Sequence, residues 1–145
     1  LGKLPTKLRK DVKTVWVHKG KNLWGGGNDN ILIHTEMGEY YIQRGIVEET
    51  FFHEAVHTSL DKKYGASRAW RKAQKADGKF ISEYAADYPK REDLAESLLL
   101  TFAYIYYPDR LSSKLKNHIE TIMPHRLSFT ETVFPAGQSL FYKVR

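Results

Sequence analysis

A single helical stretch, TFFHEAVHTSLD from Thr50 to Asp61, puts two histidines and a glutamate among apolar residues, and that combination restricts the fold most. Val47, Phe51, Ala55, Val56 and Leu60 recur at helical spacing, and Glu48 and Glu49 stand in the first turn, where they suit the helix dipole. The pattern predicts a helix from about Ile46 to Lys62. An α-helix turns ~100° per residue, so His53 and His57 lie ~40° apart, one turn up, with both imidazoles on one side. Glu54 sits between them in sequence, ~100° from His53. This is the HExxH arrangement: two nitrogen ligands at about 2.0–2.1 Å from a zinc ion, and a glutamate placed to take a proton from the water on that ion. Burying such groups is costly without a partner, and a metal is the partner that satisfies all of them.

The chain has 145 residues, enough for one domain over residues 1–145 with a real core. It has no cysteine, so the metal must be held by nitrogen and oxygen, and one zinc per chain is expected. The longest apolar runs are a few residues, so no membrane span is expected. The sequence starts at Leu1 without an initiator Met or a signal-peptide pattern, which suggests a processed or excised domain and a secreted or extracytoplasmic location. A monomer is expected.

The net charge is +6 and the pI is about 9.4. The cations gather in an amino-terminal run (Lys3, Lys7, Arg9, Lys10, Lys13) and in Arg68, Arg71, Lys72, Lys75 and Lys79, one stripe of a helix. The stripe reads as a solvated face opposite Ala69, Trp70, Ala73 and Ala76; nucleic acid or another anionic partner is the less favoured reading.

Along the chain, DVKTVWVHKG and ILIHT read as strands, and GKNLWGGGNDN between them as a loop. EYYIQR, bracketed by Gly38 and Gly45, reads as a third strand. After the HExxH helix, Ser67 caps a helix ending at Asp77-Gly78, and KFISEYAADYP is a connection. A helix starts with Pro89 in its first turn and runs until Pro108 stops it. A shorter one runs from Ser112 to Met123 with Leu115, Ile119 and Ile122 on one face. RLSFTETVF reads as a strand, and PAGQSLFYKVR shows no period. Strands first and mostly helices later make the class α+β.

Zinc needs a third protein ligand. A third histidine in the extended motif would require Gly at position 60 and His at position 63, where Leu60 and Lys63 stand. Glu92 and Glu96 are four apart and share a helix face with Ala95, Leu99, Phe102, Ala103 and Tyr106. One would bind the metal, and the other could accept the free ring N–H of a ligand histidine. Asp93 is the competing ligand if the helix phase differs.

HEAVH, followed by FISEYA and EDLAE, resembles the gluzincin metallopeptidases, most of all the anthrax lethal factor and Pro-Pro endopeptidase group, over roughly Ile46 to Tyr106. The resemblance implies a single zincin-like domain: a small N-terminal sheet with its edge strand over the active-site helix, and a mostly helical C-terminal part. It implies Glu92 as third zinc ligand and Glu96 as support for a histidine. Tyr84 would point its hydroxyl at the substrate carbonyl, with Tyr88 as the nearby rival. Ile31, Leu32, Ile33 and His34, in NILIHT, would form the substrate-lining edge strand.

The expected function is a zinc metallopeptidase, an endopeptidase by the resemblance, acting on a peptide or protein substrate with Glu54 as general base. The alternative from another class is a zinc-containing, non-catalytic module that binds nucleic acid or an anionic partner through the basic stripe. Hydrolysis of a non-peptide amide or ester is a weaker third.

Overall fold

Three short strands and eight α-helices make up the described part of a computed structural model, residues 1–141, in keeping with the α+β class. Two compact units are distinguished by their backbone packing: Leu1–Lys62 with Leu140 and Phe141, and Lys63–Ser139. Positions 142–145, the end of the stretch without a period, lie outside the described residues. No helix among the described residues is long and apolar enough to cross a membrane.

The first unit opens with a short helix, α1 (Thr6–Arg9), and carries the sheet: β1 (Thr14–His18), β2 (Gly25–Gly27) and β3 (Asn30–His34) in the order β1-β3-β2. β1 runs parallel to β3 and β2 antiparallel to it. The sequence expectation of a loop over GGGNDN is corrected here. The glycines form an edge strand, and Asn28 and Asp29, both at positive φ (48° and 62°), make the two-residue hairpin turn into β3. Gly26 has no room for a side chain: a Cβ there would lie 1.9 Å from the Glu54 carbonyl oxygen. Gly27 N–H donates to Thr58 Oγ1 at 2.9 Å, and that hydroxyl lies 2.8 Å from the Asn30 carbonyl and 3.0 Å from that of Glu54. One threonine therefore pins β2 and β3 to the HExxH helix.

A second correction follows from the strand order. Ile31 to His34 belong to the central strand, all four paired with β1 and Ile31 and Leu32 with β2 as well, and the edge strand packed on the HExxH helix is β2. Ile31 is fully buried and His34 nearly so, with Leu32 and Ile33 half-buried. The third correction concerns EYYIQR, which is helical: α2 spans Thr35–Arg44 and stops at Gly45 in the left-handed conformation. Gly38 inside α2 lets the helix close on Trp24, whose Cζ2 would be 3.1 Å from an added Cβ. Trp24 packs edge-on against Tyr41 and Phe51 and donates from Nε1 to the His34 carbonyl at 3.0 Å.

α3 (Val47–Ser59) is the HExxH helix. It buries Phe52, Ala55 and Val56, and Ser59 Oγ donates to the Leu8 carbonyl of α1 at 2.8 Å. A π turn, Asp61–Gly65, follows it.

In the second unit α4 (Arg68–Asp77) forms as expected, with Ser67 Oγ accepting from Trp70 N at its start and Gly78 left-handed at its end. Trp70 and Ala73 are buried, while Arg68, Lys72 and Lys75 face solvent. The expected connection 79–89 contains a short helix, α5 (Glu83–Asp87), capped by Ser82. α6 (Asp93–Tyr106) starts later than the sequence suggests, with Pro89 in the turn before it, and ends ahead of the 3-10 turn Pro108–Arg110. α7 (Ser113–Ile122), capped by Ser112, buries Ile119 and Ile122 against Ile81, Leu100, Tyr104, Leu111 and Leu115.

RLSFTETVF is not a strand: α8 (Pro124–Val133) covers it. Its buried positions Arg126, Phe129, Thr130 and Val133 are spaced i, i+3, i+4, i+7, and Thr130 meets Thr101 of α6 at 2.6 Å.

Candidate metal centre

The two histidine rings of α3 face one another, 4.8 Å between centroids and nearly perpendicular, with their Nε2 atoms 3.1 Å apart. Two nitrogen ligands held at 2.0–2.1 Å from one tetrahedral ion lie about 3.3 Å apart, so the 3.1 Å spacing, itself that of an N–H···N hydrogen bond, is also close to what a shared ion would need. His57 Nδ1 lies 2.7 Å from Asp61 Oδ2. An ionised carboxylate can only accept, so Nδ1 carries the proton and the Nε2 lone pair is left to face a metal. This fixes the ligand tautomer from within the chain.

Glu92 joins them. His53, His57 and Glu92 are the group among the described residues able to hold a metal ion, each offering one ligand atom, and these atoms all lie within 4.8 Å of one another. Glu92 is the N-cap residue of α6 and is buried, and Arg91 Nη2 approaches its Oε1 at 3.1 Å. Glu54, between the histidines, is only 8 % exposed.

Asp93, the competing ligand in the sequence, is committed elsewhere. It is fully buried and accepts from Arg126 Nε (3.0 Å), Gln74 Nε2 (2.8 Å) and Ser97 Oγ (3.1 Å). Burial pushes its carboxyl above the ordinary range, against the pull of Arg126 and these donors, so it is a poorer anion than a free aspartate. Its role is to fasten the first turn of α6. Arg126 binds Asp93 on one side and Asp77 on the other (Nη1 to Oδ2, 3.1 Å), while Asp77 also accepts from the first backbone amides of α8. Glu92, one residue before Asp93, inherits that rigidity.

Glu96 is half-buried and accepts from Ser82 Oγ at 2.8 Å. Ser82 caps α5, so this bond ties α6 to the short helix that carries Tyr84. Tyr84 is 42 % exposed and meets the Tyr88 ring edge-on at 5.4 Å. Ile31, Leu32, Ile33 and His34 sit in the central strand, with the His34 ring against that of His18 at 5.8 Å.

Asp61 is the site residue that sequence reasoning passed over. Its signal was present: position 61 is four after His57, one helical turn on. Asp61→Asn is expected to weaken zinc binding by about 10- to 100-fold, as loss of such a carboxylate–histidine bond does elsewhere. Competition with a chromogenic chelator measures it, and unchanged affinity would show that Asp61 does not orient the ligand.

Comparisons with protein-family models, with curated proteins and with solved structures find no match for this chain.

Proposed function

We propose that the chain is a zinc-dependent peptidase, with His53, His57 and Glu92 as ligands, Glu54 as general base and Tyr84 as oxyanion donor. The observation that carries the reading is the convergence of two imidazole nitrogens and a buried carboxylate, with a second buried carboxylate between the histidines. A structural zinc site has four protein ligands and no need of a base; three ligands beside a glutamate leave a position for substrate or water.

A bound zinc ion would polarise the scissile carbonyl and lower the pKa of a water molecule to about 7. Glu54 would take a proton from that water and return it to the departing amine. The Tyr84 hydroxyl donates to the oxygen that gains negative charge, an interaction worth about 3 kcal/mol in comparable sites. Asp61 keeps His57 in its ligand tautomer, and Glu96 steadies the start of α5 through Ser82 while supporting a ligand histidine as the resemblance implies. An extended peptide would pair along β2, the edge strand next to the HExxH helix. Zincin-like architecture and endopeptidase action belong to the same proposal.

The metal claim has its own test. Elemental analysis of the purified chain is expected to find one zinc per molecule, removed by chelator, and little in His57→Ala or Glu92→Ala. Full zinc content in both variants would place the metal elsewhere.

A further inference from the structure

Beside the Glu92 carboxylate stands a cation whose hydrogen-bonding capacity is largely unspent. The Arg91 side chain is 73 % exposed and gives one N–H to Glu92 Oε1 at 3.1 Å. A guanidinium has five N–H donors, and among the described residues the side chain of Arg91 makes no other hydrogen bond or ion pair. Its position is nevertheless defined: Cζ lies 5.4 Å from the Tyr88 ring centroid, and Tyr88 meets Tyr84 edge-on at 5.4 Å. Tyr88 is 48 % exposed, so the ladder from Tyr84 through Tyr88 to Arg91 presents an aromatic shelf ending in a charge.

An arginine serving only to neutralise Glu92 would be expected to turn its planar fork onto the carboxylate with two parallel bonds. Here a single N–H is engaged, and the fork is held against an aromatic ring instead. The guanidinium held over the ring has lost part of its side-chain freedom before any ligand arrives, which lowers the cost of gripping one. The partner matching a planar, exposed guanidinium is a second carboxylate, and the chain's net charge of +6 favours such a ligand at longer range.

We propose that Arg91, on its Tyr88 shelf, is a specificity-determining residue that selects peptides carrying a carboxylate next to the scissile bond, from an Asp or Glu side chain or a free C-terminus. This rests on the peptidase reading above and names its substrate class. A guanidinium that touches a ligand carboxylate is within one residue's reach of a peptide group bound at the metal, so the preference falls on a position adjoining the cleaved bond. Arg91 is exposed, and its contribution is screened by salt.

The test uses C-terminally amidated peptides identical except for Asp or Asn at each position flanking the cleaved bond, and a parallel set with free C-termini. The ratio of kcat/KM for acidic over neutral peptide is expected to be about tenfold in the wild type, carried by KM and reduced at high salt. It should fall to about one in Arg91→Ala and recover in part in Arg91→Lys, which restores the charge without the fork. Affinities of the Glu54→Gln protein for the same pairs, read by fluorescence anisotropy, supply the ratio without turnover. Which set shows the preference identifies a side-chain or a terminal carboxylate. Cleavage with a wild-type ratio near one, or a ratio that survives Arg91→Ala, overturns the role of Arg91 and leaves the peptidase reading standing. No cleavage and no binding of either peptide overturns both.

Discussion

Replacement of Glu54 by Gln is expected to lower kcat/KM by about 10²- to 10⁴-fold while zinc remains bound. The amide keeps the size of the carboxylate, and the Glu54 carbonyl is packed against Gly26 and accepts from Thr58 Oγ1 whichever side chain is present. What is lost is the acceptor for the proton. His53, His57 and Glu92 are untouched, so metal content measured on the same preparation should match the wild type. A fall in activity that tracks a fall in zinc would mean that Glu54 matters for holding the metal. Undiminished activity would remove it from the mechanism.

Arg126→Met is expected to destabilise the second unit by about 3–5 kcal/mol. Asp77, Asp93 and Arg126 are all without solvent exposure at their side chains, and Arg126 is the cation between two carboxylates. Methionine fills much of the space between Trp70 and Phe80, which flank the guanidinium, yet leaves buried Asp93 without its cation and Asp77 with only His125 and the α8 amides. Removing one member of such a cluster costs far more than the cluster's net contribution, because the remaining charges cannot reach water. Urea denaturation of the wild type and the variant measures the difference, and a loss below about 1 kcal/mol would show that Asp77 and Asp93 are content with their other donors.

Where the sequence carried an end signal and a period together, the element was legible. α4 has Ser67 before it, an apolar side and Gly78 after it, and it forms between those residues. α7 has the same grammar in Ser112 and the Ile119–Ile122 face. EYYIQR misled because its aromatic and β-branched residues favour strands; the better guide was Gly45, which stops a helix in the left-handed conformation. RLSFTETVF misled because a charged residue occupies one of the buried helical positions. Arg126 hides the i, i+3, i+4, i+7 pattern until its two aspartates are known, and those come from elsewhere in the chain.

The edge strand was beyond periodicity. Three glycines have no side chains to alternate, and what makes them a strand is the closeness of Gly26 to the Glu54 carbonyl, a contact between segments 28 residues apart. That the edge falls on β2 rather than on Ile31 to His34 follows from the Asn28-Asp29 hairpin together with the parallel pairing of β1 to the other side of β3. In the candidate centre the geometry of His53, Glu54 and His57 was legible, because one helix fixes all three. The residues alone left Glu92 and Asp93 as rivals, the resemblance implied Glu92, and the structure adds that Arg126, Gln74 and Ser97 hold the aspartate. Asp61 was legible from its spacing alone.

Zinc-dependent peptide hydrolysis with Glu54 as base is tested by mass-spectrometric cleavage profiling of a diverse peptide library with the wild type, the wild type plus chelator, and Glu54→Gln. It predicts a consistent set of cuts made by the wild type, lost on chelation and lost again in the zinc-bound variant. Cuts that persist in the presence of chelator, or no cuts from a wild type that carries stoichiometric zinc, would contradict it.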